Sequence, residues 1–235
     1  EPNGLLAVGG SLDVGTLRRA YQRGIFPWFE EPQPVLWWTP DPRSVLFTDE
    51  LHVSRSLKRS LRRLDFRLSA DTAFGDVMDA CAAPRDGQQG TWIGPAMRHA
   101  YETLNHVGFA HSIEVWNQGG DLVGGLYGVA SERCFFGESM FSLESEASKI
   151  ALLALVALLR RHRIPMIDCQ IESGHLNSMG ARSIDRVDFE RRLAHTETET
   201  TEITSQSTQN VWAVCQSSGD LLQCLKESAE KKTPE

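Results

Sequence analysis

Hydrophobic residues recur at helical spacing in two segments between residue 43 and about residue 107. A stripe of leucines follows Ser54, a residue type that caps helices, and Pro95 opens a second apolar stripe that extends to about Val107. The pattern predicts a helix at each of these places.

The next segments alternate in polarity or are continuously apolar, as strands are. Residues 112–116 and 122–129 flank the turn-forming residues 117–120, and residues 134–138 continue the pattern. The sequence predicts a hairpin followed by a third strand.

A long apolar helix is predicted over residues 146–163, with arginines at its C-terminal end and Pro165 after it. A strand over residues 166–171 and a short helix over residues 174–180 are predicted next. This order of elements resembles the core of the GNAT acyltransferase fold. We therefore predict an α/β (α+β) fold with a GNAT-like domain over residues 43–193, although element order alone says little about function.

Residues 1–42 are predicted to form a small N-terminal domain. Ser11 or Asp13 can cap a helix that ends near Gly24. The proline- and aromatic-rich residues 25–42 are expected to form neither a helix nor a central strand, because proline lacks the backbone donor that both require.

Beyond Leu193 the composition changes to Thr, Glu, Ser and Gln. Too few apolar residues remain to offset the entropy of ordering, so residues 194–235 are predicted to form a flexible tail, in which residues 221–229 can still form a helix.

Composition and charge exclude several classes of protein. The 235 residues are 41% hydrophobic and 23% charged, which is typical of a folded soluble chain. The longest uninterrupted apolar run, residues 150–159, is far shorter than the roughly 20 residues of a membrane span. A formal net charge of -7 excludes a polycation that coats nucleic acid, so any RNA contact must be local.

The cysteines are widely spaced and form neither a Cys-x-x-Cys pattern nor a zinc-finger pattern. We therefore expect reduced thiols in a cytoplasmic protein, and no metal. These residues are Cys81, Cys134, Cys169, Cys215 and Cys224.

Residues 52–67 carry a cluster of basic side chains against one acid, Asp65. Helical spacing turns the leucines inward and most of the cations outward, which gives a stripe that fits a phosphate backbone. A solvated helix face is the alternative interpretation. The stripe comprises Arg55, Lys58, Arg59, Arg62, Arg63 and Arg67.

Trp28 and Trp92 lie in turn-rich sequence rather than in periodic elements. Indoles in loops either fill the core or serve as platforms on which a base can stack. Both interpretations stay open for these two residues.

Two acids lie in apolar strands: Glu138 follows two phenylalanines and a glycine, and Asp168 follows Met166 and Ile167. A buried carboxylate is costly unless it is paired or functional. Each acid could act as a base or an orienting group, with Gln170 adding a neutral donor and acceptor on the same strand face. A structural salt bridge or a helix cap is the alternative.

The sequence contains no Ser nucleophile elbow, His-Glu-x-x-His, Walker loop or Rossmann glycine pattern. Covalent and metal mechanisms therefore have no support in the sequence.

Several long strings of residues resemble the leucyl/phenylalanyl-tRNA–protein transferase family. The resemblance extends from residue 1 to about residue 193. The strings are EPNGLLAVGG (1–10), AYQRGIFPWF (20–29), LWWTPDPR (36–43), GTWI (90–93), AHSIEVW (110–116), LVGGLYGV (122–129), FGESMFS (136–142) and IDCQ (167–170).

This resemblance implies transfer of Leu or Phe, with Met as a further candidate, from aminoacyl-tRNA to the N-terminal Arg or Lys of a protein. The transfer would mark that protein for degradation in the bacterial cytoplasm. It also implies a GNAT-like domain in which the aminoacylated tRNA end takes the place of acetyl-CoA, with no cofactor and no membrane. We expect a monomer.

The resemblance assigns roles to matching residues. Asp168 attracts or deprotonates the incoming amine, Gln170 orients it, and Glu138 helps to position the basic N-terminus and the ester. Trp28 and Trp92 contact the terminal adenosine, and the basic stripe holds the acceptor stem. The pocket for the Leu or Phe side chain is lined by Phe135, Met140, Leu152 and Ile167, with Leu126 and Leu159 completing it.

Two other functions stay open. An acetyl-CoA-dependent N-acyltransferase could use the same fold, although the acids in residues 141–146 would repel phosphate at the expected helix N-terminus. A non-catalytic RNA-binding protein would need only the basic stripe and the tryptophans.

Overall fold

The computed structural model describes residues 2–84, 91–194, 214 and 217–230. The N-terminal part contains strands β1 (Leu5–Val8), β2 (Phe26–Pro27) and β3 (Leu36–Trp38) and helix α1 (Val14–Tyr21). The three strands form a sheet in the order β1-β3-β2. Of the two predicted caps, Ser11 and Asp13, the structure shows Asp13 at the helix N-terminus, where its carboxylate accepts a hydrogen bond from the Thr16 N–H (2.9 Å).

The expectation that residues 25–42 contain no central strand is wrong, because β3 is the middle strand of this sheet. The prolines flank β3 rather than interrupt it. Pro27 lies in β2, an edge strand, where a missing backbone donor is tolerated.

The larger sheet has seven strands in the order β10-β4-β9-β8-β7-β6-β5. Among the described strands, β8 and β9 are the parallel neighbours and the other pairs are antiparallel. The strands are β4 (Arg43–Phe47), β5 (Arg67–Ala70), β6 (Ala110–Trp116), β7 (Leu122–Ala130), β8 (Cys134–Ser142), β9 (Met166–Gln170) and β10 (Arg182–Ile184). The helices are α2 (Arg55–Leu61), α3 (Phe74–Ala82), α4 (Pro95–His106), α5 (Ala147–Arg161), α6 (Gly174–Ser178), α7 (Arg186–Ala194) and α8 (Leu221–Glu230).

The predicted helices after Ser54 and from Pro95 are confirmed, as are the hairpin, the third strand, the long helix and the elements that follow it. Strand β8 continues four residues past its predicted end at Glu138. The hairpin turn is closed by Asn117, whose side chain accepts a hydrogen bond from the Asp121 N–H (2.9 Å).

Two apolar cores lie on opposite faces of the seven-stranded sheet. Leu126 of β7 belongs to the core shared with α2, α5 and α8, and its neighbour Tyr127 belongs to the core shared with α1, α3 and α4. Successive strand residues point to opposite faces, so one strand supplies both cores. None of the described helices has the length and hydropathy that a membrane span requires.

The predicted flexible tail is wrong for residues 217–227, which pack against the body, whereas the helix predicted within that tail over residues 221–229 is confirmed as α8. Ser218 is buried and exchanges hydrogen bonds with the backbone of Phe66, and Leu221 and Leu225 of α8 are buried against α5. These leucines, four residues apart, form an apolar helix face that overall composition conceals. The Thr- and Glu-rich residues 195–209 lie outside the described residues.

The cysteine prediction holds only in part. The thiols of Cys81, Cys134 and Cys169 are buried, as expected for reduced cysteines. Cys224 of α8 is disulfide-bonded, contrary to expectation. Spacing along the chain does not show which thiols the fold brings within bonding distance.

Candidate active site

A cavity of about 400 Å³ lies beside the parallel strands β8 and β9. Helix α5 closes one side, and the segment around β2 of the N-terminal sheet closes another. Its lining is mainly apolar, with two carboxylic acids and one amide among the polar side chains. The lining residues are Phe26, Pro27, Trp28, Trp92, Leu126, Phe135, Gly137, Glu138, Ser139, Met140, Leu152, Leu155, Ile167, Asp168, Cys169, Gln170, Ile171, Ser173 and Leu176.

The structure brings together most of the residues predicted for an apolar pocket. Phe135, Met140, Leu152, Ile167 and Leu126 all line the cavity. They come from β7, β8, β9 and α5, so no local pattern would have grouped them.

Leu159 is the exception. It lies fully buried in the core on α5, outside the cavity lining, about 10 Å along the helix axis from Leu152. Leu155, three residues after Leu152, lines the cavity in its place. Helical spacing could have identified Leu155, because residues three apart share a helix face.

Both predicted tryptophans line the cavity. The side chain of Trp28 is partly exposed, and its ring packs at an angle against Trp38 with the centroids 5.7 Å apart. The Trp38 indole N–H also donates to the Trp28 carbonyl oxygen (2.7 Å). These contacts fix Trp28 at the cavity with part of its ring open to a ligand.

Glu138 meets two buried phenols that the sequence analysis did not identify. The Tyr21 hydroxyl donates to Glu138 Oε1 (2.7 Å), and the Tyr101 hydroxyl donates to Oε2 (3.0 Å). Tyr21 and Tyr101 also share a hydrogen bond. When both phenols donate to the carboxylate, no proton is left for the bond between them. A protonated Glu138 that donates to one phenol frees the hydroxyl proton of that phenol for the other, and all three hydrogen bonds are then made.

Burial raises the pKa of Glu138 to about 7, against the opposing effect of hydrogen bonds from the two tyrosines. A carboxyl group with a pKa near neutrality can both take and release a proton at physiological pH, as general acid–base catalysis requires. Burial and the nearby Glu138 charge raise the pKa of both phenols, which therefore act as neutral donors.

Asp168 is fully buried in an ion pair with Arg43. Arg43 Nε donates to Asp168 Oδ1 (2.8 Å) and Nη2 donates to Oδ2 (2.6 Å). The sequence left open whether Asp168 is a functional carboxylate or part of a structural salt bridge. Asp168 does form a salt bridge, and it also lines the cavity together with Glu138. Arg43 was missed. Its position as the first residue of an apolar strand could have indicated it, because an arginine buried there needs an acidic partner.

Gln170 ends β9 with its backbone in the left-handed region (φ 57°). Its N–H donates to Asp168 Oδ1 (2.9 Å), and the following N–H, of Ile171, donates back to the Cys169 carbonyl (2.7 Å). Gln170 lines the cavity as predicted, at a sharp turn rather than within a regular strand.

The predicted basic stripe lies on the surface and outside the cavity lining. Leu57 and Leu61 point inward, and all five cations proposed to bind tRNA are exposed: Arg55, Lys58, Arg59, Arg62 and Arg63. Arg67 follows on β5, with its guanidinium 4.9 Å from the ring centroid of Trp116.

Solved structures align with this fold only loosely. The structure of L-PGS from Bacillus licheniformis covers 93% of this chain and 71% of its own, with a TM-score of 0.40 at 8% identity. A match of this quality supports no statement about function.

Sequence relatives are far closer. A protein named leucyl/phenylalanyl-tRNA–protein transferase from Azotobacter vinelandii is 56% identical over 83% of this chain and 86% of its own length. Proteins of the same name from Nitrosospira multiformis (57%, over 82% and 83%) and Nitrosomonas eutropha (52%, over 89% and 86%) are also similar.

Family models match two consecutive parts of the chain. The model for leucyl/phenylalanyl-tRNA protein transferase covers residues 45–194, and the model for the N-terminal domain of the same enzymes covers residues 10–41. Together with relatives above 50% identity, these matches show that the chain belongs to the leucyl/phenylalanyl-tRNA–protein transferase family.

Proposed function

We propose that this protein transfers Leu or Phe, and also Met, from aminoacyl-tRNA to the N-terminal Arg or Lys of an acceptor protein in the bacterial cytoplasm. The observation that carries the proposal is a single cavity with an apolar wall and two carboxyl groups, Glu138 and Asp168, in its lining. The apolar wall suits an uncharged side chain, and the acids suit a cationic acceptor.

The tRNA end is proposed to enter past Trp28 and Trp92. A partly exposed indole offers a face on which the terminal adenine can stack, an interaction worth about 1 to 3 kcal/mol per base. The exposed cations of α2 would hold the acceptor stem through its phosphates, largely without reading sequence. The acceptor stem and the aminoacylated end of the tRNA would then be bound by different parts of the protein.

Leu and Phe side chains are proposed to fill the apolar end of the cavity, between Phe135, Met140 and Leu152. Such a pocket excludes charged side chains, because nothing on this wall would pair with them. It discriminates weakly among apolar ones, since one methylene is worth only about 1 to 3 kcal/mol. This weak discrimination is why Met is included.

The chemistry requires a neutral amine. An N-terminal amine has a pKa of about 7.7 to 8.0, so it binds largely as an ammonium, which the two acids attract. Glu138, whose pKa lies at about 7, is well matched to accept its proton. The neutral amine nitrogen then bonds to the ester carbonyl carbon and loses a second proton as it becomes an amide nitrogen. The bond from that carbon to the ribose oxygen breaks, and the ribose oxygen leaves with the proton that the nitrogen has lost.

The assignment of proton removal to Glu138 departs from the role that the resemblance gives to Asp168. Asp168 already accepts two hydrogen bonds from Arg43 and one from the Gln170 N–H. A carboxylate has roughly four acceptor sites, so little capacity is left for a further proton. We assign Asp168 to attraction of the ammonium and to orientation of Gln170.

A GNAT-like catalytic domain is part of the proposal. The hairpin, long helix, strand and short helix in this order support it, as does a cavity beside the parallel pair β8 and β9. An acetyl-CoA-dependent reaction is less favoured. At the N-terminus of α5 the Ser148 N–H already donates to Ser142 Oγ (3.2 Å), and Glu146 lies at the cap, where phosphate would be repelled.

The test incubates the full chain with radiolabelled leucyl-tRNA and a peptide that begins with Arg, beside a matched peptide that begins with Ser. We expect label to move to the Arg peptide and not to the Ser peptide, and acetyl-CoA not to replace the tRNA. Glu138→Gln should abolish transfer while binding of leucyl-tRNA persists. Binding of the tRNA with no transfer by the unmodified chain would instead support an RNA-binding protein.

A further inference from the structure

We propose that Arg43 is a positioning residue for aminoacyl transfer: through Asp168 it fixes the turn that presents Gln170 to the cavity. This inference rests on the proposed function, because it concerns the same site. Arg43 itself does not line the cavity, so its effect must pass through other residues.

The pair is built for fixed geometry. The guanidinium makes two parallel hydrogen bonds to Asp168, and both side chains are fully buried. Such a fork fixes the carboxylate in position and orientation, whereas an ammonium would act as a point charge. Asp168 therefore has a single arrangement, set by a residue that is not itself part of the cavity lining.

Asp168 passes this constraint to the backbone at the end of β9. The register between β4 and β9 shifts here: Val45 pairs with Asp168 and Ser44 with Gln170, so Cys169 is an extra residue in β9. This is a β-bulge, a device that redirects a side chain and is common next to active sites. Asp168 Oδ1, held by Arg43, accepts the N–H of Gln170 and closes the bulge.

The bulge needs such support because Gln170 has a φ of 57°. Non-glycine residues in this region are strained and persist where surrounding contacts over-determine them. Glycine would be the ordinary residue for this turn. A glutamine at this position indicates that its side chain is used in the cavity.

The guanidinium is itself held by rings from two other segments. It lies 5.0 Å from the ring centroid of Phe26, in β2, and 4.6 Å from that of Phe189, in α7. Its Nη1 has no hydrogen-bond partner among the described residues. A buried nitrogen without a partner is unfavourable, so stability alone does not account for an arginine here.

A matched control exists elsewhere in the same sheet. Arg182 also makes a two-bond pair, with Glu50 (2.9 and 3.2 Å), and lies over an aromatic ring, that of Phe47 (4.7 Å). This pair is half-exposed and outside the cavity lining. Arg182→Lys therefore makes the same chemical change as Arg43→Lys without touching the site.

The experiment measures kcat and KM for transfer of Leu from leucyl-tRNA to the Arg peptide, together with tRNA affinity and Tm. For Arg43→Lys we expect kcat to fall about 10- to 100-fold, the size of effect that a displacement of roughly 1 Å can cause. The KM for leucyl-tRNA should stay within about threefold of the unmodified value, because ground-state binding is not altered. Arg182→Lys should leave both constants unchanged.

A double-mutant comparison tests the route through Asp168. Arg43→Lys combined with Asp168→Asn should lose no more activity than Asp168→Asn alone, because residues that act through one another are not additive. Effects that multiply would overturn the proposal, as would an Arg43→Lys protein with unchanged kcat. If Arg43→Lys does not fold, Phe189→Leu replaces it: this change loosens the guanidinium without altering charge and should lower kcat with little change in KM.

The transfer activity and the positioning role of Arg43 are distinguished by the same measurements. If the unmodified chain does not transfer Leu, the proposed function is wrong. If it transfers Leu and the Arg43 and Phe189 variants match it, only the positioning role is wrong.

Discussion

Glu138→Gln should make the protein more stable in neutral solution while removing its activity. Glu138 is enclosed by the Tyr21 and Tyr101 hydroxyls, and burial raises its pKa from 4.5 to about 7. The folded state therefore holds this proton more tightly than the unfolded chain does. The resulting contribution to stability is fully present below pH 4.5 and is lost as the pH rises through 7.

The magnitude follows from the pKa values. A difference of one pKa unit corresponds to about 1.4 kcal/mol, so a rise from 4.5 to about 7 corresponds to about 3 kcal/mol when Glu138 is fully ionised. Glutamine keeps the shape, cannot ionise, and can still accept from one tyrosine and donate to the other. Relative to the unmodified protein, the variant should gain nothing near pH 4.5 and up to about 3 kcal/mol near pH 8.

Urea unfolding of both proteins at intervals from pH 5 to pH 8 measures this difference. Glu50→Gln is the control of opposite sign. The hydrogen bond from Arg182 lowers the pKa of Glu50 from 4.5, so its contribution to stability is present above that pH. Glu50→Gln should therefore be slightly less stable than the unmodified protein throughout pH 5 to 8, by a small and constant amount because the pair is half-exposed. If the difference in unfolding free energy between Glu138→Gln and the unmodified protein did not change with pH, folding would not raise the pKa of Glu138, and the prediction would be wrong.

Three other features can be tested by substitution. A Cβ at Gly128 would lie 2.1 Å from a neighbouring backbone carbonyl oxygen, so Gly128→Ala should cost about 1 to 3 kcal/mol and lower the Tm, whereas Gly174→Ala, with nothing within 4 Å, should not; equal Tm values would contradict this. Leu221→Ala should cost about 2 to 5 kcal/mol in urea unfolding, because Leu221 is fully buried; a negligible loss would show that α8 is not part of the core. Replacing both Arg59 and Arg62 by Gln should weaken tRNA binding and reduce the slope of log Kd against log salt by about 1 to 2 units; an unchanged slope would remove these residues from the tRNA interface.

Sequence patterns predicted the elements that local physics determines. The long helix α5 and the hairpin of β6 and β7 were found because apolar spacing and turn residues act within a few residues of one another. The same patterns predicted β8 and β9 as two strands with a long helix between them. The pairing of these two as parallel neighbours depends on the whole sheet, and no local pattern contains it.

The missing parts of the site are long-range partners. Arg43 and Asp168 are 125 residues apart in the chain, and Tyr21 and Glu138 are 117 apart. The sequence identified each acid as unusual, since a carboxylate in an apolar strand is costly. It could not show that one acid would meet a guanidinium and the other two phenols. The misplacement of Leu159 has the same origin, because where the cavity ends along α5 depends on how the strands cross the helix.

The different partners of the two acids account for the proposed division of labour. Asp168 is held by two hydrogen bonds from Arg43, so its position and orientation are fixed. Glu138 is met by neutral hydroxyls, whose three shared hydrogen bonds are complete only when it carries a proton. Exchanging these surroundings would leave neither group suited to its task. A free Asp168 would no longer hold Gln170, and a Glu138 paired with arginine would no longer take a proton near neutral pH. The arginine therefore has to lie beside Asp168, and the tyrosines beside Glu138, for one small cavity both to attract an ammonium and to deprotonate it.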